Sequence, residues 1–290
     1  MSRTVTNHGR GTLLVVLSAV VFSLSGVLTK LIEADGWTIV CWRGLIGGMA
    51  VVLYVELGRG SLPRHQAFRL GPRGWLLATI GSLASVAFIY AFKLTYVGNV
   101  AVIYATAPFF AAALGWCVLH ERAKGRTLVA GALSLAGVMI IVSDGLGAGK
   151  MAGDLLAVAM TIGNAIYIVL IRKFSDVPVV WAGGASALQL FGIGAFMGHP
   201  LDVSFQDAAL LSLFGIAFAA AVILWTEGTK LIPSAQSALL GTAEIPCAIF
   251  LAWLIVSELP PATALMGGAV IMATVLWHAL IDRLEGTQEG

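Results

Sequence analysis

Apolar residues run along this chain in blocks of about twenty, separated by short polar connections. A helix rising 1.5 Å per residue needs about 20 such residues to cross a hydrocarbon core about 30 Å thick. Blocks at roughly 12–32, 37–57, 74–93, 98–119, 127–144, 152–172, 178–198, 207–228, 235–256 and 262–281 therefore predict ten membrane-spanning helices. The longest connection, about Gly58 to Arg73, leaves no room for a separate soluble domain. The first block, Leu13 to Ile32, follows Arg3 and Arg10 as a signal peptide would. It is longer than the usual signal core and no A-x-A site follows, so it reads as a retained membrane helix.

Composition agrees with the pattern. The 290 residues are 59% hydrophobic and 11% charged, with a mean hydropathy of +0.93. A water-soluble domain carries about 25% charged residues, so the outside of this protein is expected to face lipid. The net charge of +2, with no basic run, argues against a nucleic-acid partner. Cys41, Cys117 and Cys247 sit in apolar blocks with no CxxC spacing, and His8, His65, His120, His199 and His278 are scattered. No metal or cofactor is expected from such spacings.

The connections divide unevenly in charge. The N-terminus, the gaps after spans 2, 4, 6 and 8, and the C-terminus hold thirteen Lys and Arg, and the opposite set holds Lys30, Lys93 and Lys150. Positive charge favours the cytoplasmic side, so both termini are expected there, after an even number of crossings.

The chain also repeats. Residues 11–32 align with 153–174, and 93–121 with 230–258, where Lys93 meets Lys230, Trp116 meets Trp253 and Glu121 meets Glu258. The prolines miss by one: Pro108 lies thirteen residues before its glutamate and Pro246 twelve. The expected units are 1–147 and 148–290, five helices each. An odd number of crossings per unit inverts the second relative to the first, an architecture common in transporters.

Proline in the fourth helix of each unit, glutamate ending it and glycine opening the fifth resemble the EamA type of the drug/metabolite transporter superfamily. The first copy reads YATAPFFAAALGWCVLHE and GALSLAGVMI, the second TAEIPCAIFLAWLIVSE and GGAVIMA. The resemblance covers about 10–282. It implies an all-α integral membrane fold, with ten transmembrane helices as two inverted five-helix repeats around a central cavity. It also implies an inner-membrane carrier exporting amino acids or related metabolites. The family includes carriers of nucleotide sugars, sugar phosphates and drugs, so those classes stay open.

Polar residues inside the spans are candidates for binding substrate, because burying them in lipid is costly. An ionised carboxylate at mid-bilayer costs roughly 2.5–3.5 kcal/mol on insertion scales. Glu244 lies within an apolar run, on a helical stripe with Ser237, Gly241 and Ala248. It fits a substrate amine or a coupling proton, or else a structural bond to a neighbouring helix. Pro246 would interrupt that helix and free backbone acceptors. Arg43, in the second span, fits a carboxylate, a headgroup anchor or an ion pair. The following Gly44-xxx-Gly48 reads as a close-packing face. Ser25 with Ser18 and Thr29, and Asn164 and Tyr167 with Thr161, occupy corresponding stripes of spans 1 and 6. Gln189 is a further polar candidate, and Tyr90, Tyr104 and Trp225 offer rings to an aromatic or cationic substrate, although core or lipid contact is the commoner role for any one aromatic. Glu121 and Glu258 are expected to stabilise helix ends, Glu227 to pair with Lys230, and Trp277 with His278 to anchor at the interface.

These features predict alternating-access export of a small metabolite, with aromatic or neutral amino acids as the expected substrate and a proton or an exchanged solute as the drive. No GxxxxGK[ST] loop provides for ATP, and no clustered nucleophile and base suggests an enzyme. Organic anions such as sugar phosphates would call for more interior cations than Arg43.

Overall fold

The computed structural model describes residues 2–54, 70–120, 125–148, 150–174, 177, 179–229, 231–232, 240–241 and 243–286. Its helices are α1 (Ser2–Leu31), α2 (Gly36–Tyr54), α3 (Gly71–Leu94), α4 (Val97–Tyr104), α5 (Ala107–Leu119), α6 (Gly125–Ala148), α7 (Met151–Lys173), α8 (Val179–Met197), α9 (Phe205–Thr229), α10 (Glu244–Val256) and α11 (Ala262–Gly286). Six helical stretches, Val97–Leu119 among them, are long and apolar enough to cross a membrane, and α6, α10 and α11 carry shorter apolar cores. Large apolar side chains such as Leu83, Met139, Phe196 and Leu254 lie exposed on the outside, as a lipid-facing surface requires.

Two of the expected spans are not continuous helices. Residues 98–119 divide between α4 and α5 at Ala105–Thr106, just before Pro108. Proline donates no N–H and its ring crowds the carbonyl four residues back, here that of Tyr104. In the block at 235–256, residues 240–241 are helical, Ala243 is a turn and α10 begins at Glu244, two residues before Pro246. Ser237 and the carbonyl of Thr242 lie outside the described residues. The far ends of α5 and α10 also match. His120 (φ 55°) and Ser257 (φ 53°) both adopt the left-handed conformation, each immediately before a glutamate. Their N–H groups return to Gly115 O and Ala252 O, which closes the last turn of each helix.

The packing pairs α1 with α9 and α10, and α7 with α3 and with α4–α5. α2 packs on α8 and α6 on α11, while α3 meets α8 and α2 meets α9. Exchanging each helix of 1–147 for its aligned counterpart in 148–290 maps these pairings onto one another. The glycines at the closest approaches correspond too. A Cβ on Gly11 would fall 2.7 Å from Leu231 and Ile232, and one on Gly153 would fall 2.6 Å from Thr95 N and 2.7 Å from Leu94 C. In the alignment of 93–121 with 230–258, positions 94 and 95 face 231 and 232.

Polar contacts bind one end of the bundle. Lys30 pairs with Glu258 at 3.2 Å, and Glu258 also accepts the N–H of Val97. This tie agrees with the expected end-stabilising role of Glu258; Glu121 lies outside the described residues. Lys93 donates to the carbonyl of Ile32, and Glu33 N–H donates to buried Asp207 at 3.0 Å. Asp154, fully buried where α7 begins, accepts from Thr95 (2.6 Å) and Asn99 (3.0 Å). Asp35 caps α2, accepting from the N–H of Trp37 (2.8 Å) and from the N–H (3.1 Å) and hydroxyl (2.5 Å) of Thr38. Burial opposes its charge, yet these bonds hold the Asp35 carboxyl below the usual carboxylate range.

The Gly44-xxx-Gly48 face is a packing surface, as its spacing suggests. A Cβ on Gly44 would sit 2.5 Å from Phe191 N and 2.7 Å from Ala187 O, backbone atoms of α8 that cannot rotate away. Gly44→Val is therefore expected to destabilise the detergent-solubilised protein by about 1–3 kcal/mol, the usual cost of overpacking. Gly192→Ala, with nothing within 4 Å of its Cβ, serves as the control and is expected to melt no lower than the parent, because alanine favours a helix interior over glycine. Equal melting temperatures for the two variants would contradict the α2–α8 contact.

Candidate functional site

The breaks in the two interrupted spans bring polar groups into the interior. Tyr104 ends α4 and Glu244 opens α10. Both line one internal cavity with Phe22, Ser23 and Gly26 of α1, Phe88 of α3 and Met160 of α7. The cavity is small, about 20 Å³, room for about one water. Tyr104 borders this cavity and is 36% exposed. At the first position of α10, Glu244 lies at the positive end of the helix dipole, worth typically 0.3–1 kcal/mol. Among the described residues no hydrogen bond or ion pair neutralises its carboxylate.

Arg43 stands one aromatic layer away. Its side chain is buried, 7% exposed, and its Nε and Nη1 have no hydrogen-bond partner among the described residues. Rings surround the guanidinium instead: Phe218 at 4.0 Å, Phe88 at 4.9 Å and Phe214 at 5.8 Å from the centroids. Phe88 also borders the cavity, and Phe218 packs edge-on against Phe22, which borders it too (6.0 Å between centroids). Ring faces attract a cation by about 0.5–2 kcal/mol. Taking an unpaired ion out of water costs several kcal/mol. The rings therefore recover part of that cost and leave two N–H donors unanswered. Among the described residues, Arg43 and Glu244 are thus an interior cation and an interior anion that do not pair with each other.

The other sequence candidates are spread more widely. Asn164 lies one turn from Met160 on the same face of α7, half-buried and without a hydrogen-bond partner among the described residues. Ser25 is buried next to the cavity-lining stretch of α1, and its carbonyl accepts from Thr29 at 2.7 Å. Tyr167 packs where α3, α7 and α8 meet, against Gly81. Gln189 ties α8 to α3, accepting from Ser82 at 2.9 Å and donating to Thr79 at 3.1 Å. Tyr90 stacks edge-on with Trp37, 5.3 Å between centroids, near the start of α2. The Trp225 ring lies against Gly241, three residues before Glu244. Glu227 accepts from the Tyr54 hydroxyl; Lys230, its expected partner, lies outside the described residues. Trp277 is 41% exposed on α11, and the side chain of His278 is outside the described set.

Sequence reasoning missed Ser23, Phe88 and Met160 as lining residues, and Phe88, Phe214 and Phe218 as the box around Arg43. An apolar ring in an apolar span gives no signal of its own. The spacing of Phe214 and Phe218, one turn apart on α9, is the one trace of the box in the sequence.

Residues 9–143 match the EamA-like transporter family. The chain is 26% identical to the uncharacterized transporter YwfM of Bacillus subtilis (strain 168), over 96% of each chain. It is 25% identical to the uncharacterized transporter YdfC of the same organism, covering 85% of this chain and 83% of the relative. An uncharacterized transporter of Archaeoglobus fulgidus is 26% identical over 91% of this chain and 95% of its own. A crystal structure 19% identical in sequence shares the fold with a TM-score of 0.63, over 92% of this chain and 96% of that one.

Because Arg43 lacks hydrogen-bond acceptors, replacing it with methionine is expected to leave the melting temperature of the substrate-free protein unchanged or higher. Apolar residues often replace buried ions at no cost or with a gain. A fall of several degrees in a thermal-shift assay would instead mean that the guanidinium holds the bundle together.

Proposed function

From the match of residues 9–143 to the EamA-like transporter family, we propose that the protein exports a small zwitterionic metabolite, an amino acid with a neutral or aromatic side chain, by alternating access. The membrane setting and the transport role come from the family match and from relatives named as transporters. The substrate class rests on the interior. Glu244 borders the cavity and Arg43 stands one aromatic layer behind it, opposite charges without a polar partner among the described residues. An amino acid presents an ammonium to the first and a carboxylate to the second, and each charge then gains the partner that the protein does not give it. Phe22, Phe88 and Phe218 offer apolar surface to its side chain.

In this reading the units 1–147 and 148–290 are inverted repeats whose rocking exposes the cavity to one side of the membrane and then the other. The correspondence of helix pairings, chain breaks and left-handed caps supports the repeat. The ties at Lys30, Lys93 and Glu258 close one end and must loosen for access from that side. Both termini then lie in the cytoplasm and the carrier sits in the inner membrane, with a proton or an exchanged solute as the drive. Sugar phosphates fit less well. Arg43 is the one buried Lys or Arg among the described residues, and a phosphate dianion calls for more.

Purified protein in liposomes, loaded with a panel of amino acids and assayed with and without a pH gradient, tests the reading. Neutral or aromatic amino acids are expected to leave the vesicles. Glu244→Gln and Arg43→Gln are each expected to slow efflux at least about tenfold, the loss that follows when an unpaired charge is left facing the substrate. Unchanged rates in both variants would remove these residues from the mechanism, and competition by sugar phosphates alone would favour the anion carrier.

A further inference from the structure

The guanidinium of Arg43 does not open directly onto the cavity. The two are separated by rings: Phe88 has its face 4.9 Å from Arg43 and also borders the cavity. Phe218, 4.0 Å from Arg43, leans on Phe22, which borders it too. A substrate carboxylate can reach Nε and Nη1, the donors without partners, only if this aromatic wall moves.

We propose that Phe88 and Phe218 are placeholder ligands. In the empty carrier their faces hold Arg43, and the carboxylate of the substrate displaces them. The inference deepens the reading of the site given above by making a monocarboxylate attached to an apolar body the recognised feature.

Three observations carry it. Nε and Nη1, two unanswered donors of Arg43, belong to a planar guanidinium, which pairs with a carboxylate and repels an amine cation. The rings are weaker partners than a carboxylate: a face gives a cation electrostatic attraction but accepts no strong hydrogen bond. The wall is also built from phenylalanine, which carries no polar atom, so its displacement strands no donor or acceptor in the interior. A cation held this way stays in the bundle without an internal carboxylate, which would compete far more strongly with substrate.

The arrangement lowers apparent affinity by the fraction of time the wall is closed. Weakening the wall should therefore tighten binding, the opposite of what removing a direct contact does. The test uses the full-length protein in detergent, with binding read by calorimetry and folding checked by thermal melting. Phenylacetate is the carboxylate probe; phenethylamine and inorganic phosphate are comparison ligands.

Phenylacetate is expected to bind the parent protein, to lose at least about tenfold in affinity with Arg43→Gln, and to gain about three- to tenfold with Phe218→Leu. Phe88→Leu should change affinity in the same direction and stands in if Phe218→Leu does not fold. Phenethylamine should bind equally to the parent, Arg43→Gln and Phe218→Leu. The proposal fails if the leucine variants bind phenylacetate no better than the parent, if Arg43→Gln leaves its affinity unchanged, or if phosphate binds more tightly than phenylacetate. Should phenylacetate follow the expected pattern while liposomes move no amino acid, the substrate reading falls and the placeholder stands. Should amino acids move while the leucine variants bind phenylacetate no better, the placeholder alone falls.

Discussion

Nothing in a hydrocarbon core hydrogen-bonds to a polar group, so every donor, acceptor and charge between the membrane faces needs a partner from the chain itself. Most of this protein obeys that constraint locally. The hydroxyls of Thr29, Thr106, Thr161, Thr226 and Thr274 each return to a backbone carbonyl three or four residues back on their own segment. Ser18 crosses to the carbonyl of Ala221 at 2.8 Å and joins α1 to α9. Against that background Glu244 and Arg43 stand apart as ionisable side chains inside the bundle that the described residues leave without a polar partner.

The same constraint explains where the chain breaks. An interrupted helix in a membrane exposes backbone groups, which is tolerable only where they are buried in protein or line a cavity. Both breaks lie inside the bundle, and the ends they create, Tyr104 of α4 and Glu244 of α10, border the same internal space. Proline near each break supplies the local cause: it removes a donor and crowds the preceding turn. Packing then decides what those ends face. α1 runs beside α10 and α7 beside α4, so the two breaks are covered by the two helices that open the aligned halves.

Rigid and loose regions are distributed accordingly. Close backbone approaches at Gly44 against α8, and at Gly137 against Gly267 between α6 and α11, leave no room for side chains and fix those pairs. The polar ties at Lys30, Lys93, Asp154, Asp207 and Glu258 gather at one end of the bundle. Ion pairs and hydrogen bonds of this kind can exchange partners with water, whereas a glycine contact cannot open without losing its packing. A bundle built this way has one end whose ties can loosen while its glycine-packed pairs stay together as units.

Much of this was legible in the chain. Blocks of twenty apolar residues dictate crossings because backbone polarity must be hidden over the thickness of the bilayer, and the block pattern located nearly every helix. Proline and the matched glutamates marked the fourth helix of each half, and the glycines after Arg43 marked a packing face. Glu244 and Arg43 stood out because charge in an apolar run is expensive wherever it finally sits. What the sequence left undecided is what each polar residue faces. Gln189, Tyr167, Asn164 and Ser25 look alike as polar points in apolar spans, yet Gln189 is satisfied by Ser82 and Thr79 while Asn164 is not. Phenylalanines 88, 214 and 218 are indistinguishable from any lipid-facing ring until three helices bring them around one guanidinium. Burial cost is a property of a residue and its neighbours along the chain, so sequence reports it. Partnership is a property of space between helices, and only the packed bundle assigns it.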